Sequence, residues 1–384
     1  MKSTDKIQRA LEIAVERGEH AVQVAAYVDG ELVVDAWIGD AKPGGPPVGA
    51  DTLFPVFSVT KAITSTALHL QAERGHVEYE RPIADYWPEF AANGKDHITI
   101  RHVMSHQSGI PQMPVGVTPE LLGDWEWMTA RIAEFTPMFE PGSSSAYQSL
   151  VYGWIIGEVV RRTDPAGRDF GTFVREEICA PLRIDDLWIG LPDSELPRVV
   201  ELTSELPRGR VEGETEISIA AKPDAVAPDA HVHNLDVVQR ACHPGAGGIM
   251  TARAGARVFA MLANGGVLDG VRLLSEERVR AFTTPRPNSD LLDQVLLGGN
   301  RVAPLISNAG YWLAGSVFGT GPGVIHHGGA GGSQGFADLD RKLGAVICHN
   351  RMFEGFAPNA DDHPFRELAD AVVEIADQLV EGVR

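Results

Sequence analysis

The chain is poor in cysteine, with three, Cys179, Cys242 and Cys348, in 384 residues. An odd and widely spaced set supports neither a disulfide framework nor a cysteine metal site. Positive charge is also short: 33 Lys and Arg stand against 52 Asp and Glu, a net charge of −19. Nucleic acid and anionic membranes both require a basic face, so neither is expected as a partner. No window of eighteen apolar residues occurs, which leaves no candidate transmembrane helix. Residues 1–18 place Ile7, Leu11, Ile13, Ala14 and Val15 among charges and lack the apolar centre of an export signal. They read as an amphipathic helix of a cytoplasmic protein. Lysine is scarce, 7 against 26 arginines. Where only a cation is needed this chain uses arginine, so a lysine inside a motif suggests a proton that must be able to leave.

What is present is an ordinary globular composition, 44% hydrophobic and 22% charged, enough for a sizeable core in two lobes. Residues 54–75 organise the rest. Ser58-Val59-Thr60-Lys61 puts a hydroxyl and an amine one helical turn apart on one face, a nucleophile beside a possible base. Ala62, Ile63, Thr66, Ala67 and Leu70 recur at helical spacing, and Gly75 suits a left-handed cap. Pro55 and its neighbours read as an extended approach, so backbone N–H groups and the positive helix end would lie beside Ser58. With 17 serines and 7 lysines, Ser-x-x-Lys arises by chance about 0.3 times. A second copy, Ser3 to Lys6, lies in a polar terminal stretch and is set aside. On the tetrapeptide alone, a helix-capping serine with an exposed lysine remains the simpler reading.

From residue 21 the period changes to two. Residues 21–28 and 31–37 flank Asp29-Gly30 as a hairpin. Residues 76–287 are helical and loop-rich: Thr99 caps a short helix leading to His106-Gln107-Ser108-Gly109, and Tyr147 stands at the entrance of an apolar helix over 150–162. Residues 201–229 read as an exposed polar excursion, and 244–251 as a turn feeding a helix over 252–264. Strand-like runs follow at 311–314, 323–327, 334–339 and 343–348, and a last amphipathic helix begins at Phe365. The expectation is an α+β fold. Its α/β sandwich, residues 1–75 and 288–384, carries a mainly antiparallel sheet built by both chain ends and flanked by helices. Residues 76–287 form an inserted helical lobe, and the active site lies in the cleft between the two.

Five motifs in order carry a family resemblance: Ser58-x-x-Lys61, the His106 to Gly109 turn, Pro141-Gly142 before Tyr147-x-Ser149, Gly247-Gly248 before a helix, and His327-Gly328-Gly329-Ala330. Together they resemble the serine β-lactamase-like superfamily (the class C β-lactamase and penicillin-binding protein fold), closest to the family VIII carboxylesterases, over residues 21–384. The resemblance implies Ser58 as nucleophile, Lys61 as its partner and Tyr147 as a second base, with the backbone N–H groups of Ser58 and Ala330 as oxyanion hole. Ser149, His327, Gly328 and Gly329 would then face the substrate. Either Lys61 or Tyr147 would take the proton, since a phenol beside an ammonium and a buried amine are both expected to titrate low.

Two departures bear on the substrate. Ser149 stands where β-lactam hydrolases usually have the asparagine of Tyr-x-Asn, and His327-Gly328 where they have Lys-Thr. A neutral imidazole without a hydroxyl holds a carboxylate poorly. A carboxylesterase acting on short-chain acyl esters through an acyl-serine intermediate is therefore expected, with a small-molecule ester as partner and no cofactor or metal. Acyl transfer to a small-molecule alcohol, class C-like β-lactamase action and D-aminopeptidase activity are the alternatives.

Other patterns invite different readings. Gly331-Gly332-Ser333-Gln334-Gly335 matches G-x-S-x-G, but a strand follows where a nucleophile elbow needs a helix. His231 and His233 lack further ligand-type neighbours and read as solvated loop residues. Trp125 and Trp127 fit either a pocket lining or packing, and His106 a structural hydrogen bond.

Overall fold

The computed structural model describes residues 3–204, 214–296, 305–353 and 360–382. Strands β1 (Ala21–Val28) and β2 (Glu31–Gly39) form the expected hairpin, with Asp29 and Gly30 at φ +50° and +87° in its turn. Near the other chain end, β6 (Val324–Gly328), β7 (Gln334–Asp338) and β8 (Leu343–His349) join them in one antiparallel sheet ordered β2-β1-β8-β7-β6. The N-terminal region thus supplies two strands of the sheet and the C-terminal region three.

Strand periodicity decides the layers. β1 is buried throughout, but Ala21, Ala25 and Tyr27 enter the larger core while Val22, Val24, Ala26 and Val28 enter a second one. β8 divides in the same way, Val346 and Cys348 against Leu343, Ala345 and Ile347. Helices α1 (Ser3–Glu16) and α5 (Arg366–Gly382) close the second core through Leu11, Ala14, Leu368 and Val372. The sheet is therefore a middle layer with helices on both faces.

On the opposite face lies α4 (Ala252–Ala263), which packs on β1, β7 and β8. It falls within the 76–287 stretch expected as helical lobe, yet its small residues seat it on the sheet. A Cβ at Gly344 would lie 2.2 Å from the Ala260 nitrogen, so the helix rests on bare backbone there.

A second sheet, smaller, holds the approach to the site: β3 (Phe54–Phe57) and β4 (Leu187–Ile189) flank β5 (Gly248–Met250). Residues 244–251 were expected as turn alone. Pro244 and the glycines do mark a turn, but the following three residues are a strand too short to show a period. Residues 311–314 form no strand; Trp312 alone bridges to Ile306 and His326. The described part of the 201–229 stretch is not wholly an exposed excursion. Residues 205–213 lie outside the described residues, and of the remainder Glu216–Ala221 is helical, with Ala221 and Val226 buried. Among the described residues no helix is long and apolar enough to cross a membrane.

Replacement Gly344→Ala forces backbone against backbone, which no rotamer change relieves. It is expected to destabilise the chain by about 1–3 kcal/mol, read as a lower urea midpoint at unchanged slope. An unchanged midpoint would show that α4 is not tightly seated.

Candidate active site

β3 ends at Phe57, whose φ of +48° is left-handed backbone that a bulky residue rarely adopts. The chain turns there and enters α2 (Thr60–Glu73), so Ser58 stands two residues ahead of the helix rather than inside its first turn. The Lys61 N–H donates to the Ser58 carbonyl at 3.0 Å, which keeps the two side chains on one side. From Thr60 to Ala72 every residue of α2 is buried. Its polar groups must then be met within the protein. Thr64 Oγ1 donates to the Pro244 carbonyl at 2.7 Å, Ser65 Oγ to the Lys61 carbonyl at 2.7 Å, and Thr66 Oγ1 meets Tyr311 Oη at 3.0 Å.

Lys61 is the site's pivot. Its amine, fully buried, lies 3.0 Å from Ser58 Oγ and donates to the Ser149 carbonyl at 2.7 Å and to the Gly245 carbonyl at 2.8 Å. Burial holds it well below the usual lysine range. Tyr147 lies just before α3 (Tyr152–Thr163), its ring centroid 4.9 Å from Lys61 Nζ. Its hydroxyl is buried with no partner in hydrogen-bond geometry, although Ser58 is near enough to favour the phenolate. Burial, with a smaller contribution from the Asp293 carboxylate, outweighs Ser58 and pushes the phenol above its usual range. The expectation of a low-titrating phenol is thus reversed, because loss of water acts more strongly on it than the neighbouring amine does.

Asp293, which nothing in the sequence singled out, fixes Tyr147 in place. Its Oδ1 accepts the N–H groups of Tyr147, Val295 and Leu296 at 2.9 to 3.0 Å, and its Oδ2 accepts Ser145 Oγ at 2.7 Å. The buried Arg286 also donates to Ser145 Oγ and, at 3.0 Å, to the Ser105 carbonyl. His106 is structural, as expected: at φ +58° its Nδ1 accepts the Gln148 N–H at 3.3 Å and its ring lies edge-on to Tyr147 at 4.7 Å.

The far wall is the end of β6. A Cβ at Gly329 would lie 2.4 Å from the Val56 carbonyl, so β6 meets β3 at bare backbone and Ala330 packs beside Phe57. Among the described residues, neither the Ser58 nor the Ala330 N–H donates to a backbone carbonyl. His327 is buried against Trp312, ring centroids 4.5 Å apart, and its Nδ1 meets the Gly328 carbonyl at 2.8 Å. Burial first, and the Lys61 amine second, hold the imidazole well below its usual range. It supplies no cation.

Not every candidate gathers here. Ser333 is buried at the start of β7, and its carbonyl accepts the Gly329 N–H at 2.7 Å; a strand, not a helix, follows. His233 is no solvated residue. It is buried on Phe57, ring centroids 4.4 Å apart, and burial lowers it to about 4. Trp125 packs on Phe170 and donates to Glu158 at 2.7 Å, and Trp127 lies against Arg131. No cluster of three or more His, Cys, Asp or Glu able to hold a metal occurs among the described residues.

Comparison with known proteins places the chain in a family. The sequence profile of the Beta-lactamase family matches residues 5–369. The chain belongs to the Beta-lactamase family. Among curated relatives it is 36% identical over 349 residues to the esterase/beta-lactamase LipL of Mycobacterium tuberculosis, covering 86% of this chain and 76% of that one. Among solved structures this family member is similar to a family VIII carboxylesterase, with a TM-score of 0.87 and 32% identity over 97% of this chain and 98% of that one. A penicillin-binding protein homologue from Caulobacter crescentus gives 0.81 and 32% over the same shares. The fold is β-lactamase/transpeptidase-like, of the α+β class.

Replacement Asp293→Asn keeps one oxygen for the N–H donors but removes the charge beside Arg286. In this family member it is expected to lower kcat/KM for an ester at least about tenfold by misplacing Tyr147. Wild-type kcat/KM in the variant would contradict the positioning role.

Proposed function

We propose that the chain is a serine hydrolase, a carboxylesterase acting on short-chain acyl esters through an acyl-Ser58 intermediate. The observation that carries this reading is the buried Lys61 amine held against Ser58 Oγ by two backbone carbonyls. A neutral amine has two N–H groups and one lone pair. With the N–H groups committed to Ser149 and Gly245, the lone pair is left for the Ser58 hydroxyl. Lys61 then acts as general base.

Ser58 Oγ attacks the ester carbonyl as its proton passes to Lys61 Nζ, and the Ser58 and Ala330 N–H groups take the developing oxyanion. Tyr147, held protonated by its burial, donates its proton to the departing alcohol oxygen as the C–O bond breaks, and recovers one from the Lys61 ammonium. Water then attacks the acyl-serine with the proton transfers reversed, releasing the acid and restoring Ser58. The esterase names among its relatives support the ester assignment. So do the departures at His327 and Gly328, which offer neither cation nor hydroxyl to a β-lactam carboxylate, and at Ser149, whose short hydroxyl stands in place of a carboxamide.

Intact-mass measurement after mixing with p-nitrophenyl butyrate is expected to show one butyryl group on the wild type and none on Ser58→Ala. The kcat/KM for that ester should exceed that for nitrocefin. An adduct persisting in Ser58→Ala, or a preference for nitrocefin, would overturn the reading.

A further inference from the structure

The ring of Tyr147 is set in apolar surroundings. It joins Ala146, Ala221 and Val295 in a buried cluster, against which Phe139, Ile217, Leu296 and Trp312 pack while staying partly exposed. Four separate stretches of chain converge there. Asp293 binds the Tyr147 N–H together with those of Val295 and Leu296, so one carboxylate positions the phenol and part of the wall beside it. Met138, next in sequence to Phe139, and Leu292, next to Asp293, are further apolar side chains, 40% and 75% exposed. Apolar surface running from a reactive group to solvent is costly when it meets only water, and it marks a place where an apolar ligand lies.

The wall carries little polarity. His327 Nδ1 lies against a carbonyl and so bears the hydrogen, which makes its buried, unpartnered Nε2 an acceptor. Beside it, the buried and unpartnered Trp312 Nε1 is a donor. Among the described residues the wall itself offers a ligand no charge: burial keeps His327 neutral, Asp293 is saturated by four donors, and Glu140 and Glu216, which flank Phe139 and Ile217 in sequence, are exposed to solvent.

We propose that this wall is the alcohol-binding half of the cleft and that it selects esters whose alcohol part is an extended apolar group, aryl or alkyl, against small or charged alcohols. The inference rests on the esterase reading above. In that chemistry the departing oxygen is protonated by Tyr147, so its substituent lies on the Tyr147 side of Ser58 and meets Phe139, Ile217, Leu296 and Trp312. A charged alcohol would lose water there and gain no counter-charge.

The test is a series of butyrate esters of methyl, ethyl, propyl, butyl and hexyl alcohols, together with butyrylcholine and its neutral isostere 3,3-dimethylbutyl butyrate. In the wild type kcat/KM rises about fourfold per added methylene until the wall is filled. The neutral isostere exceeds butyrylcholine by at least about tenfold. Ile217→Ser and Leu296→Ser, both at partly exposed positions, flatten the alcohol series and leave the ratio between methyl butyrate and methyl octanoate at its wild-type value. A flat wild-type series, a preference for butyrylcholine, or variants that change acyl-chain preference instead would overturn the alcohol site while leaving the esterase reading intact. Absence of turnover for every ester, with no acyl adduct on Ser58, would overturn both.

Discussion

A lysine amine buried without a carboxylate partner is the constraint on which the site depends. Desolvation of an ammonium costs several kcal/mol even after local relaxation, and no acidic group offsets it at Lys61. What the fold supplies is two carbonyl dipoles, from Ser149 and Gly245, and the Ser58 hydroxyl. Three pieces of chain must therefore meet within hydrogen-bond reach: α2, the turn before α3 and the turn before β5. The burial of α2 from Thr60 to Ala72, with Thr64, Ser65 and Thr66 anchored to Pro244, Tyr152 and Tyr311, keeps that meeting point rigid.

The same dryness sets the roles of the surrounding groups. Removing water pulls Lys61 and His327 toward their neutral forms and pushes Tyr147 toward its protonated form. In the proposed mechanism, base and acid are thereby separated between two residues whose ordinary ranges overlap. A neutral His327 beside Gly328 also leaves the β6 wall without the cation and hydroxyl that a β-lactam carboxylate would meet. One physical cause, exclusion of solvent, thus underlies both the proposed activation of Ser58 and the proposed preference for uncharged esters.

Much of this was legible in the sequence. Residues 21–28 and 343–348 read as strands from their β-type composition, although their burial on both faces was not anticipated, and five ordered motifs single out Ser58, Lys61, Tyr147 and His327. Less visible were features set by tertiary contact. Asp293 lies 146 residues from the Tyr147 amide it holds, in a stretch with neither helical nor strand period. Gly248–Met250 is a strand only because β3 and β4 lie on either side of it. The depth of burial that neutralises His233 and reverses the direction expected for Tyr147 depends on neighbours far along the chain.

The central claim is that Lys61 loses its proton far more readily than an ordinary lysine. With seven lysines in the chain, side-chain carbon NMR of lysine-labelled protein, assigned through Lys61→Arg, follows its titration directly. The account predicts a midpoint well below the ordinary value of about 10.4. A Lys61 that titrates with the surface lysines would contradict it.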